Sequence, residues 1–289
     1  MLLEKPSYSN LKSNDEKMMK LELCFERLHF GYFKFEYLPK LAFMSLGIEA
    51  GIMLDIGEKN TIATPLLQGR ILKNNVQQID IGGKNITDYL FQLLQRRGYF
   101  FDPLNYYDID IVRKLKEDHC FVSSNIKEQK LLDCESIRLP DGKRINISNE
   151  KYAATEVLFN PYMVPKGTIF EQKGIDDVLY RTIKVRNIFF ISFYGCDENI
   201  RKDLSKNILL FGGTRRLSGL KQRLEFELME MNKKEKLYET ANTSNIFNFL
   251  TSSDYPEFLG ASILSNKTDY WISFKDYMEY GPNILYKKP

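Results

Sequence analysis

Apolar and polar positions along the chain follow two rhythms, one of helical period and one of strand alternation. Between residues 14 and 30, Met18, Met19, Leu21, Leu23, Phe25 and Leu28 recur at helical spacing, which predicts a helix after an opening loop that contains Pro6. Another apolar segment covers 38–46. In "AGIMLDIGEKNTIATPLL", residues 52–54 read as a short buried strand, 57–60 as a turn and 61–67 as a returning strand, a hairpin with Asp55 at the end of its first arm. "IDIGGKNITDYLFQLLQRRGYFF" predicts a strand, a Gly82-Gly83 turn and a helix. Asn85 or Thr87 lies near its N-cap, Ile86, Tyr89, Leu90, Leu93 and Leu94 share one face, and Gly98 is its stop.

The helical period returns in "DIDIVRKLKEDHCFV" through Ile111, Val112 and Leu115, and "IRLPDGKRINIS" predicts two short strands around the turn pair Asp141-Gly142. "GIDDVLYRTIK" and "IRKDLSK" bracket an aromatic insert, "VRNIFFISFYG", at 185–195. After them "NILLFGGTRRLSGL" breaks an apolar run at two glycines. A long helix through Leu220, Leu224, Leu228 and Met231, a polar connector to Ser244, and a C-terminal helix and tail complete the chain. Strands and helices are interspersed without a short-period repeat, which points to an α/β class of two or more packed lobes.

Composition narrows this picture. A 43% hydrophobic content over 289 residues excludes a disordered tail and gives ample core for one large domain or two to three subdomains. The 41 basic against 38 acidic residues leave a net charge of +3, too small to imply a nucleic-acid partner. Cys24, Cys120, Cys134 and Cys196 form no CxxC pair and have only His29 and His119 as imidazole companions, so neither a zinc site nor a disulfide framework is expected, and a reducing intracellular compartment fits. No stretch reaches the roughly 18 apolar residues of a membrane span, and the N-terminus turns polar after two leucines, so the expectation is a soluble, unexported protein.

Candidate chemistry sits in "LDIGEKNT", "IDIGGKNIT" and "LLFGGTRRLSG". Each places one or two glycines just after a strand, where bare backbone N–H groups can face a phosphate or let a ribose pack closely, and the latter two lead into helix N-termini. Asp55, just before a glycine, could hold a water on a divalent cation that bridges phosphates. Any one of these turns is better explained by plain turn geometry; three in this order shift the balance.

Together these residues resemble the actin and actin-related protein family. The resemblance is carried along essentially the whole chain by "GIMLDIGEKNT", "QIDIGGKNITDYLFQLLQRRGYFF", "IVRKLKEDHCFV", "LPDGKRINISNEKYAATEVLFNP", "IRKDLSKNILLFGGTRRLSGLKQRL", "YPEFLGASIL" and "YWISFKDYMEYGPNILYKK". It implies the two-lobed, ribonuclease-H-like architecture of sugar kinases and heat-shock-chaperone ATPases, with ATP or ADP and Mg2+ in the cleft between lobes. Residues 1–45 and 255–289 would be a remnant of the first lobe, 46–81 and 167–254 the inner part of the second, and 82–166 its outer part. Asp55 and Gly57 then match the second phosphate loop, with Glu58 where the family has an aspartate near the ribose. Gly83 matches the glycine beside the ribose, and Lys116 and Glu117 the pair that contacts the adenosine. Gly212, Gly213 and Thr214 match the loop packed on adenine and phosphates.

The departures from the family pattern matter as much. The first phosphate loop, its metal-facing aspartate and phosphate lysine, and a small outer subdomain have no counterpart, so the first lobe is expected to be incomplete, with an uncovered sheet edge that either a partner covers or the rest of a longer gene product completes. Ile56 replaces a hydroxyl residue and Lys59 a glycine; bulk there would obstruct phosphate approach, while the Lys59 ammonium could supply charge. Leu38 and Ile62 stand where the family orients its hydrolytic water with glutamine and histidine. Asp254 replaces a basic residue near the adenine, Leu217 an aromatic one, and Phe211, Arg215 and Arg216 alter the Gly-Gly loop. The resemblance therefore implies weak or lost nucleotide binding, Asp55 as the one metal-facing group and little or no ATP hydrolysis.

The implied role is a structural subunit of an actin-type cytoskeletal assembly in the cytoplasm, with actin or other actin-related subunits as partners, no membrane and no direct nucleic-acid contact. "SSNIKEQKLL" and "RLEFELMEM" look like the actin-related subunit of the branch-nucleating complex; the tail looks equally like conventional actin or the dynactin-filament relative. The alternative is a nuclear actin-related subunit of a chromatin-remodelling complex. An active ATPase or sugar kinase would need a phosphate-handling base that the matched positions lack. The insert at 185–195 reads either as an added binding loop or as a retained intron or gene-model error.

Overall fold

A computed structural model describes residues 2–4, 14–124, 133–163, 173–184, 197–235, 246–250, 254–266 and 271–287. Pro6, the aromatic insert at 185–195, Cys196, most of "SSNIKEQKLL" and the connector at 236–245 lie outside them. The short strand β1 (Leu2–Glu4) is followed by α1 (Asn14–Glu22), which runs into a π-helical turn at Leu23–Arg27, so the helix predicted over 14–30 ends at Arg27. Strands β2 (Tyr32–Phe33) and β3 (Phe35–Tyr37) lead to α2 (Leu38–Ser45), which starts with Pro39 where a missing N–H has no helical partner to lose.

The predicted hairpin is β4 (Gly51–Ile56) and β5 (Thr61–Leu67), paired in antiparallel register from Ile56↔Thr61 to Gly51↔Leu66. β6 (Arg70–Ile71) and β7 (Gln77–Ile79) both pair with β5, on its far edge. Pro65, which has no N–H to give, sits between the two pairings at Thr61–Ala63 and Leu66–Leu67. Next come α3 (Gly83–Arg96), α4 (Tyr106–His119), the hairpin β8 (Glu135–Arg138) and β9 (Arg144–Ile147), and α5 (Glu150–Ala153), which tightens into a 3-10 turn at Ala154–Leu158. α6 (Ile175–Ile183), α7 (Asp197–Lys206), β10 (Ile208–Phe211), α8 (Leu220–Glu235), β11 (Phe249–Leu250), α9 (Pro256–Ser265), β12 (Ile272–Ser273) and α10 (Phe274–Tyr280) follow.

The central sheet is mixed, in the order β11-β10-β4-β5-β6 with β7 also on β5; β11, β10 and β4 run parallel. β4 is buried on both faces, which is why its sequence reads as an apolar run broken only by Asp55 near its end. Ile52, Leu54 and Ile56 join the largest cluster with Ile86, Leu90 and Leu204, while Met53 faces the other way, among Leu38, Phe43 and Leu209. α9 packs on α2 at Gly260, where any side chain would meet the Leu41 carbonyl, a Cβ lying 1.9 Å from it. A third cluster joins residues near both chain ends, with Phe25 stacked on Tyr277 at 4.9 Å and Phe33, Ile272 and Ile284 around them. No helix of the described residues is long and apolar enough to cross a membrane.

A buried ionic cluster joins α8 to the 3-10 turn at Ala154–Leu158. Arg223 of α8, 3% exposed, donates through Nη1 to Glu156 at 2.9 Å and to the Ser123 carbonyl at 3.0 Å, and through Nε to Glu227 at 2.7 Å. Its guanidinium also lies over the Phe159 ring at 4.6 Å. Asp176, at the start of α6, feels the Glu227 charge, and burial first and that charge second push its carboxyl up to about 7. Because the folded value is raised above 3.8, the neutral acid's contribution is complete below that pH and is lost as pH rises through about 7. Asp176→Asn should therefore stabilise the protein relative to wild type by a margin that grows between pH 4 and 7 and then levels off. Urea midpoints at about pH 5 and about pH 8 measure this, and an equal difference at both would refute it.

Candidate functional site

The ends of β4 and β10 and the start of α3 converge on one cleft. Asp55, 3% exposed, is the penultimate residue of β4, and its ladder partners are Phe211 on one side and Ile62 on the other. The hairpin turn closes when the Gly57 N–H donates to the Asn60 carbonyl at 2.9 Å. Ile56 turns into the largest apolar cluster, so it leaves the cleft unobstructed, contrary to expectation, and Lys59 is exposed at the tip of the turn.

The Gly82-Gly83 turn also departs from expectation. Its amides are already engaged: Gly82 N–H donates to Asn85 Oδ1 at 2.9 Å, Gly83 N–H to the Gly57 carbonyl at 2.9 Å, and Lys84 N–H to the Glu58 carbonyl at 2.7 Å. The turn therefore docks on the first loop instead of presenting bare N–H groups to a phosphate. A Cβ on Gly82 would come within 2.5 Å of the Gly57 carbonyl, so close approach of two backbones is what the glycine permits.

The Gly-Gly loop differs as well. It enters a four-residue 3-10 turn, Gly213–Arg216, and α8 starts only at Leu220, so these glycines do not open an α-helix N-terminus. Gly212 has φ +84°, and a Cβ there would lie 2.3 Å from the Ile56 carbonyl and 2.7 Å from Asp55 Oδ1. Nothing lies within 4 Å of a Cβ on Gly213, which faces open space. Thr214 Oγ1 donates to the Gly57 carbonyl at 3.2 Å, the same oxygen that takes the Gly83 N–H.

Lys116 reaches the site from α4. Only 6% exposed, it donates to the Gly83 carbonyl at 3.1 Å and stands 3.7 Å from Glu58 Oε2. Glu117 is exposed beside it, so the buried lysine pairs with Glu58 and not with its sequence neighbour. Burial raises the nearby Asp88 carboxyl above its ordinary value, the Glu58 charge adds to the rise, and Lys84 and Lys116 oppose it.

The cleft has a volume of about 450 Å³. Gly57, Glu58, Lys116, Glu117, Gly213, Thr214 and Arg216 line it, whereas Asp55, Gly83 and Gly212 stand just behind its wall. Ile86 and Leu217 add apolar surface; spacing had placed Ile86 on the core face of its helix, and it serves both sides. Asp254 pairs with Arg215 at 3.3 Å and Arg216 at 3.7 Å at the rim. Leu38 and Ile62 are buried, at 6% and 4% exposure. Among the described residues no three His, Cys, Asp or Glu side chains cluster as a metal site.

Comparison with known proteins bears on the whole chain. A family model described as Actin matches residues 1–289. The actin-related protein 2 of Saccharomyces cerevisiae is 31% identical over 302 residues, covering 99% of this chain and 72% of that protein. The actin-related protein 2 of Caenorhabditis briggsae is 30% identical over 298 residues, 97% of this chain and 70% of its own length. That of Schizosaccharomyces pombe is 30% identical over 303 residues, 99% of this chain and 72% of its own length.

Proposed function

Because the chain belongs to the actin family, we propose that it is a structural actin-related subunit of an actin-type assembly in the cytoplasmic cytoskeleton, whose cleft holds ATP or ADP weakly and hydrolyses it little or not at all. The observation that carries this reading is the apolar filling around Asp55. Its ladder partners are Phe211 and Ile62, and Leu38 clusters with Met53 on the same face of β4 as Asp55. None of these side chains can accept or relay the proton of an attacking water.

The site fits a nucleoside better than a polyphosphate. Its volume lies at the small end of the roughly 300–1,000 Å³ of ligand clefts. Ile86 and Leu217 would flank the base, Lys116 with Glu58 and Glu117 would hold the sugar, and the open backbone at Gly213 with Thr214 would meet the phosphates. Asp55 would hold one water of Mg2+, and that ion, when bound, neutralises phosphate charge. The amides of the Gly82-Gly83 turn, already engaged within the protein, add nothing to phosphate binding.

In this reading residues 1–45 and 255–289 form one body, supported by the apolar cluster that joins Phe25 and Phe33 to Ile272 and Tyr277. Residues 46–81 with 167–254, and 82–166, form the inner and outer parts of the other. Equilibrium dialysis of the full chain with labelled ATP should give a dissociation constant weaker than about 1 μM, and phosphate release should match the protein-free control. Sub-micromolar binding or release above that control would refute the degraded cleft. Co-purification with actin or another actin-related protein tests the assembly role, and failure with both would overturn it.

A further inference from the structure

A second cavity, of about 530 Å³, lies apart from the cleft and shares none of its lining residues. One wall is a stripe of α6. Asp177, Tyr180, Arg181 and Lys184 follow one another at three- and four-residue spacing, while Ile175, Val178, Leu179 and Ile183 go to the largest apolar cluster. Tyr180 reaches both, and its hydroxyl ties α6 to α8 by donating to the Met231 carbonyl at 3.4 Å. Asn74 and Asn75, from the 3-10 turn Lys73–Asn75, and Gln77, at the start of β7, form another wall, and Glu235 completes it from the end of α8.

The charged groups of this lining are already matched. Asp177 pairs with Arg181 at 2.8 Å, and Lys184 pairs with Glu235. These four charges sum to zero and each stands beside its opposite, so a bound ion of either sign would meet attraction and repulsion together. The amides are not matched. Among the described residues the side chains of Asn74, Asn75 and Gln77 make no hydrogen bond, and Asn75 is only 8% exposed, with its Oδ1 buried and unpartnered. A buried amide without a partner carries a desolvation cost that a hydrogen-bonding ligand relieves.

A carboxamide offers two donors and an acceptor, and a hydroxyl offers one donor and two acceptor lone pairs, so the two match in kind. An apolar ligand would leave the amides unsatisfied. A flat base would find no open ring, because Tyr180 is buried and the Lys184 ammonium lies over it at 5.0 Å. We propose that the cavity binds a neutral polyhydroxylated molecule, a cyclitol or a mono- or disaccharide, held by the Asn74, Asn75 and Gln77 amides. Its volume falls within the roughly 300–1,000 Å³ of small-molecule sites.

This site is independent of the nucleotide reading, and its test uses the full chain. Saturation-transfer difference NMR with myo-inositol, D-glucose and maltose should give at least one saturable signal, stronger than any from glycine, acetate or methylammonium. ATP, which the proposed function sends to the other cleft, should leave that signal unchanged. An Asn75→Ala, Gln77→Ala double variant should weaken polyol binding at least about tenfold with an unchanged thermal midpoint. If the double variant melts earlier, Asn74→Ala, at an exposed position, supplies the reading and should weaken binding in the same direction. Absence of a saturable signal from all three polyols, unchanged affinity in the variants, preference for a charged probe, or displacement by ATP each overturns the proposal.

Discussion

Arg223→Met is expected to lower the unfolding free energy by about 3–5 kcal/mol, because it leaves Glu156 as an uncompensated buried charge. Set against a typical total of about 5–15 kcal/mol, that loss is a large part of the fold's margin. Methionine keeps much of the arginine stem but loses the guanidinium that lies over Phe159, so the missing charge and that lost stacking contact act together. Glu156 is 2% exposed, and burial already raises its carboxyl above the ordinary value, opposed chiefly by the hydrogen bond and charge of Arg223. Without the arginine the folded carboxyl rises further. A raised value means stability present below the unfolded pKa and lost as pH rises, so the deficit of the variant should shrink toward acid pH. Urea denaturation at neutral and acid pH measures both effects, and Glu156→Gln added to the variant should recover part of the loss. A deficit under about 1 kcal/mol, the same at both pH values, would mean the cluster is not what holds α8 to the 3-10 turn at Ala154–Leu158.

The second large effect separates two adjacent glycines. Gly212→Val forces a branched side chain into a left-handed backbone, at about 1–2 kcal/mol, and drives it into the Ile56 carbonyl, for about 1–3 kcal/mol more. Gly213→Ala meets nothing within 4 Å and should be within about 0.5 kcal/mol of wild type. Thermal denaturation ranks the two. Any ATP retained by wild type in dialysis should also be lost in Gly212→Val, since the loop cannot close over Asp55. Similar stabilities for the two variants would contradict the geometry at Gly212.

Local signals carried most of the elements. Residues 61–67 form the returning strand within the predicted bounds, and Gly98, at φ +85°, ends α3 as its position suggested. Asn85 was placed near the start of α3, and it caps the helix from its third position by accepting the Gly82 N–H. The partner of Lys116 was not legible as drawn, because Glu58 lies on a loop far away in the chain. A usable signal existed: neighbouring helix residues do not face each other, and Lys116 follows the buried Val112 by four positions. That spacing puts it on the inner face, away from Glu117. The engaged amides at Gly82-Gly83 had no such signal. A glycine pair permits either a ligand or another strand of backbone to approach, and only the folded chain shows that the Gly57 loop takes the place.

The Gly57 carbonyl, which accepts from both Gly83 and Thr214, makes the two sides of the cleft mechanically unequal. On one side backbone hydrogen bonds weld the hairpin turn to the start of α3. On the other, past the end of the β10–β4 ladder, the Gly-Gly loop is tied by one hydroxyl and by surface ion pairs to Asp254. The cleft is thus fastened by backbone on one side and by side chains on the other, and because exposed ion pairs are screened by salt, a rise in ionic strength should act mainly on the second side.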